Sequence, residues 1–231
     1  MSRRINRDFT KLTEFVADYS LNRFLHEQNQ LLECKSMHKK LFGLMIFVAE
    51  FNQQNPTDIT SIYMNEMISD LMLSLFNWVQ GMYKPSKLEL RCAIEEFFKS
   101  LLAIDNPIII NVRSVYEIFE LAHSDRHFSG DEFSSGYLVQ LKNDYSVLCQ
   151  IVHSAKNTII STDALHLLPQ YNEERSEELQ KTYVKIAENI LSILFAKYPE
   201  IVDKMHPENK EDFLDCLSKT TRKTVNNYLF S

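Results

Sequence analysis

SKLELRCAIEEFFKSLLA, residues 86–103, begins with a serine followed three positions later by a glutamate and contains neither glycine nor proline. Ser86-Lys87-Leu88-Glu89 has the form of a capping box. In that motif the serine satisfies an unpaired N–H of the first turn and the glutamate reaches back to the cap. The stretch predicts a helix from Leu88 to about Ala103. One face of that helix carries Leu88, Cys92, Glu95 or Glu96, and Lys99. A polar side chain on such a face either stays in a surface pair or turns toward a neighbouring helix, where it requires a partner. Arg91 and Glu95 stand four apart, the spacing of a helical ion pair that contributes roughly 0.2–0.5 kcal/mol when exposed.

Working outward, the same periodicity recurs along the chain. Phe9, Leu12, Phe15, Val16, Tyr19 and Phe24 mark a first amphipathic helix from Phe9 to about Leu25. Leu31 to Phe51 forms a second, which becomes apolar all round in LFGLMIFVAEF and so is expected between other helices. Asn55 and Pro56 end it. Thr57 and Asp58 can cap a third helix carrying Ile62, Met67, Leu71, Leu75 and Val79, which stops near Gly81. Beyond residue 103, Asp105-Asn106-Pro107 is a break, and Ile108 to Ile110 reads as a short extended piece before a helix from Val112 to about Ala122. His123 to Gly136 reads as a loop. Tyr137, Leu138, Leu141, Tyr145, Leu148, Ile151 and Val152 define the next long helix, and a connector spans Ser161 to Tyr171. Glu173 to about Tyr198 is helical and ends at Pro199, and a last helix runs from Pro207 to about Leu229. The expected architecture is an all-α, multi-helix bundle of about seven or eight helices. It divides into an N-terminal helical region, 1–82, a central bundle, 83–198, and a C-terminal helix packed on that bundle, 199–231.

Composition narrows the function. Four glycines, Gly43, Gly81, Gly130 and Gly136, stand too far apart to cradle a phosphate in a P-loop or dinucleotide fingerprint. There is no GxSxG elbow, HExxH or paired CxxC. No cofactor and no metal is therefore expected. His123, Asp125 and His127 could share a metal only on one helical face, and SDRHFSG has the character of a solvated helix end. Cys34, Cys92, Cys149 and Cys216 are widely spaced in apolar helical contexts, which suits reduced thiols in a cytoplasmic protein. No apolar run approaches the roughly 20 residues that span a bilayer. The net charge of −6 opposes broad binding to nucleic acid. Three basic clusters nonetheless offer local contacts to RNA: Arg3, Arg4, Arg7 and Lys11; Lys35, His38, Lys39 and Lys40; and Lys219, Arg222 and Lys223. Each is expected to be a solvated face or tail.

Tyr145, Cys149 and His153 follow at four-residue steps, which places His153 on the apolar stripe of its helix. An imidazole at the edge of a core helix serves either as an acid or base near neutral pH or as a hydrogen-bonded structural group. LRCAIEEFFKSLL, followed about fifty residues later by YSVLCQIVHS, resembles the divergent HEPN-like helical proteins of prokaryotic toxin and phage-defence systems. The resemblance covers Leu88 to about Asn157. It implies a HEPN-like core in which an Arg/Glu-bearing helix packs against a helix ending in Val-His-Ser. Active members of that superfamily carry an Arg four to six residues before a His, forming a composite metal-independent ribonuclease site in a dimer. His153 matches in context, but no Arg stands at that distance before any of the seven histidines. The resemblance thus implies a non-catalytic or regulatory subunit of a defence or toxin–antitoxin assembly, acting as a homodimer or with a partner protein. The enzymatic alternative is an RNase toxin using His153 with Arg91, Glu95 or Tyr145. A protein–protein adaptor unrelated to nucleic acid is the third class.

Overall fold

The computed structural model describes residues 28–55, 59–126, 128–129, 132–152 and 169–229. Among these residues the chain is all helical, with no strand. In chain order the helices are α1 (Gln28–Gln54), α2 (Ile59–Val79), α3 (Tyr83–Leu102), α4 (Val115–Ser124), α5 (Glu132–Val152), α6 (Glu173–Lys197), α7 (Pro199–Lys204), α8 (Pro207–Cys216) and α9 (Lys219–Leu229). The first amphipathic segment, Phe9 to Leu25, the Thr57-Asp58 cap and the Ser161-to-Tyr171 connector as far as residue 168 lie outside the described residues. None of the described helices is long and apolar enough to cross a membrane.

Two long helices organise the core. α1 buries Met37, Leu41, Leu44, Phe47, Val48 and Phe51, while α6 is buried on every side from Asn189 to Ala196, with Ile190, Leu191, Ile193 and Leu194 fully buried. A helix segment buried all round must be enclosed by others, and α6 is flanked by α1, α3, α5, α7 and α9. α1 departs from its expected enclosure because Phe42 and Met45 face outward. Fully buried apolar side chains each contribute on the order of 1.5–3 kcal/mol, so these two helices supply much of the driving force.

α2 and α3 form a tight antiparallel hairpin. Gly81 adopts φ 70°, its N–H reaches the Trp78 carbonyl at 2.9 Å, and the Met82 N–H reaches the Asn77 carbonyl at 2.8 Å. That is a Schellman ending, with the glycine in the left-handed conformation the motif requires. α3 then starts at once at Tyr83, three residues before the expected serine cap. Ser86 is consequently inside the helix and fully buried. Its hydroxyl donates to the Ser74 carbonyl at 2.7 Å and the Ser74 hydroxyl donates to the Ser86 carbonyl at 2.9 Å. The small serine permits the close approach of two helices here, a tertiary demand that a capping pattern does not reveal.

Other local expectations change for similar reasons. Residues 107–111 close a 3-10 turn rather than an extended piece, with Pro107 in its first turn. The expected loop from His123 to Gly136 is shorter, because α4 continues to Ser124 and α5 begins at Glu132. Pro199 opens α7 instead of merely ending α6. The single C-terminal helix breaks in two: Ser218 caps α9, its hydroxyl accepting the Thr221 N–H at 3.0 Å.

Candidate functional site

α3 and α5 bring together three of the four residues singled out by sequence. Arg91 Nη2 lies 3.4 Å from Glu95 Oε1, one turn apart on α3. From α5 the Tyr145 hydroxyl donates to the same Glu95 oxygen at 2.8 Å, and the Arg91 guanidinium lies 5.6 Å from the Tyr145 ring centre. Tyr145 is fixed from behind by Phe119 of α4, edge-on at 5.4 Å, which itself packs edge-on against Phe98 of α3 at 5.0 Å. Arg91, Glu95 and Tyr145 are all partly buried, so the inward-turning polar group expected on α3 is Glu95 and its partner across the interface is Tyr145. His153 lies outside the described residues.

The electrostatics of this corner are dominated by carboxylates. Burial, followed by Glu89, Glu96, Glu66 and Glu95, pushes the Asp70 carboxyl of α2 up to about 7. Burial, with Asp70 and Glu95 next, pushes the Cys92 thiol up to about 11. Such a thiol is protonated at neutral pH and is a poor nucleophile. Burial and the Glu95 carboxylate likewise raise the Tyr145 phenol well above its ordinary value. Burial opposes the Arg91 charge, but Tyr145 and Glu95 outweigh it and hold the guanidinium pKa above its usual value. Lys99 donates to Glu96 at 2.6 Å and lies 5.9 Å from the Tyr63 ring centre. The corner holds two ion-paired cations, Arg91 with Glu95 and Lys99 with Glu96, and a carboxyl, Asp70, whose pKa burial and the nearby glutamates raise to about 7.

A second charged centre was not expected. Lys40 of α1 pairs with Glu188 of α6 and donates to the Cys216 carbonyl at the end of α8 at 2.6 Å. The Glu188 carboxylate also accepts the Ser218 N–H at 2.9 Å and the Thr221 hydroxyl at 2.5 Å. Burial would raise the Glu188 carboxyl, but the bonds from Lys40, Thr221 and Ser218 outweigh it and hold its pKa below the ordinary value. A signal existed: Lys40 falls in the register of Met37, Leu41 and Leu44, and Glu188 sits between Ala187 and Ile190, both buried. What pairs them is the fold, across a separation of 148 positions in sequence.

Among the described residues no group of His, Cys, Asp and Glu could hold a metal ion. Asp125 ends α4, its carbonyl accepting the Phe128 and Ser129 N–H groups at 3.0 and 2.7 Å, and His127 lies outside the described residues. Of the three basic clusters, the first is also outside. Of the second, Lys40 is buried against Glu188 and the Cys216 carbonyl while Lys35, His38 and Lys39 are exposed; of the third, Lys219 and Lys223 are exposed and Arg222 lies 3.9 Å from Asp215. No protein-family model, curated protein or solved structure matches this chain.

Proposed function

We propose that this protein is a cytoplasmic, helical, non-catalytic or regulatory subunit of a prokaryotic phage-defence or toxin–antitoxin assembly, working by contact with a partner protein. The observation that carries the reading is the engagement of Arg91. Cleavage of a phosphodiester needs a cation free to meet charge that develops in the transition state. Here the guanidinium is bound by Glu95 at 3.4 Å and covered by Tyr145. Asp70 and the glutamates that raise its carboxyl, Glu89 and Glu66 among them, add negative potential on the adjoining helices that disfavours an approaching phosphate. The defence setting rests on the resemblance of Leu88 to Asn157 to HEPN-like proteins.

The convergence of Arg91, Glu95 and Tyr145 is the observation that favours the RNase alternative, in which His153 supplies the acid or base. Incubation of the purified protein with single-stranded RNA in EDTA separates the two readings. The expected outcome is intact RNA. Cleavage that is lost in both His153→Ala and Arg91→Ala, with helicity and thermal unfolding unchanged, would overturn the non-catalytic reading.

A further inference from the structure

α2 carries a stripe that the core leaves bare. Among the described residues its inner side packs on α1 and α3, with Met64, Met67, Leu71 and Leu75 buried. On the opposite side Ile62, Met72, Leu73 and Phe76 are 61%, 41%, 45% and 48% accessible, with Ser69 exposed between them. The stripe extends onto the neighbouring helix. The Asn52 amide of α1 donates to the Asn65 side-chain oxygen of α2 at 3.1 Å, in an exposed contact that fixes where the outer edges of the two helices meet. Met45 lies about two turns before Asn52 and Met72 about two turns after Asn65, so in this antiparallel pair both exposed methionines border the same edge. Single exposed apolar side chains are ordinary, whereas a contiguous group marks an interaction surface.

We propose that this surface binds a second copy of the chain about a two-fold axis that crosses α2 at Ser69. It concerns a face other than the Arg91 corner and does not rest on the functional reading. Charge selects the occupant. Residues 59–79 contain no Lys, Arg or His, so neither a phosphate backbone nor an acidic helix finds a counter-charge on α2. Its carboxylates are Glu66 and Asp70, and Asp70 is turned toward Glu89 and Glu96 of α3, which leaves Glu66 alone to meet a basic partner. Against its own copy the stripe is complementary. In an antiparallel pair of α2 helices, residues equidistant from the axis meet. Ile62 then stands against the partner's Phe76, and Glu66 against the partner's Met72, so no carboxylate faces itself. Ser69 at the crossing is small and exposed, which lets the two axes approach closely. The size also fits. The 21 residues of α2 span about 31 Å, and with the α1 edge 8–10 Å away the face covers roughly 600 Å², within the roughly 600–1,000 Å² that each partner buries in a specific interface.

The test uses the whole 231-residue chain. Sedimentation at micromolar concentration is expected to give twice the 27.1 kDa mass. Phe76→Asp and Ile62→Asp, both at exposed positions, are each expected to weaken association about tenfold or more, and circular dichroism checks that helicity is kept. Cysteines then read the register. Mild oxidation with copper phenanthroline in air is expected to link Ser69→Cys chains into a disulfide-bonded dimer, because residue 69 meets its own copy. Ile62→Cys is expected to stay unlinked, since its two copies stand about 21 Å apart, far beyond disulfide reach. The unsubstituted chain, whose four thiols are partly or fully buried, serves as the blank. A monomeric unsubstituted chain overturns the proposal. So does a dimer that both aspartate variants leave intact, or oxidation that links Ile62→Cys and not Ser69→Cys. Any of these leaves the outcome of the RNA assay, and with it the non-catalytic reading, untouched.

Discussion

Two charged centres, the Arg91–Glu95–Tyr145 corner and the Lys40–Glu188 latch, sit at similar depth in one bundle and have opposite balances. In the latch one carboxylate meets three donors: Lys40 from α1, Ser218 from the turn between α8 and α9, and Thr221 from α9. In the corner one guanidinium faces Glu95, and Asp70 lies nearby among further acids. Burial raises the cost of unbalanced charge in both places. The latch removes that cost with donors, and the corner removes it by keeping a proton on Asp70. The first arrangement fixes where a helix docks. The second stores a pH response.

The sign of that response differs between the regions. The lowered pKa of Glu188 means that the latch stabilises the fold above the ordinary carboxylate value and is lost as pH falls through the folded one. Asp70 is the reverse. Its folded pKa of about 7 exceeds the ordinary 3.8, so the native state holds an extra proton between them and stability falls as pH rises across that window.

The largest expected effect tests the latch. Lys40→Met leaves the Glu188 carboxylate buried without its cation and is expected to cost about 3–5 kcal/mol in urea unfolding. A loss below about 1 kcal/mol would show that water replaces the ammonium and would erase the contrast. Asp70→Asn is next. It removes the charge that the corner disfavours and is expected to stabilise by about 1–2 kcal/mol at pH 8, after allowance for partial exposure. The gain should vanish near pH 4, where both forms are uncharged. Thermal melts showing the same gain at both pH values would assign it to something other than charge. The smallest effect belongs to Tyr145→Phe, which keeps the ring against Phe119 and deletes only the bond to Glu95. About 1 kcal/mol or less of destabilisation is expected. A loss of 3 kcal/mol would make the corner as demanding as the latch.

Much of the corner was legible in the sequence. Arg91 and Glu95 belong together by helical spacing alone, and the apolar register of residues 90–102 allows Glu95 or Glu96 to turn toward a neighbour. That the neighbour is Tyr145 depends on how α5 crosses α3, which no local pattern encodes. The latch was less visible because its members come from positions 40, 188, 216, 218 and 221. Ser86 taught the same lesson in reverse: it satisfied a local capping pattern, yet the close approach of Ser74 governs it.

By itself the sequence determined the helical class, the lengths of α2, α3 and α6 to within a few residues, and the absence of a glycine-rich phosphate loop. These follow from periodicity and backbone freedom, which are properties of short stretches. Only the tertiary structure decided which charges became partners and that α1 keeps Phe42 and Met45 outside. Those outcomes depend on distances between helices far apart in the chain, where burial and charge are balanced only after the helices have docked.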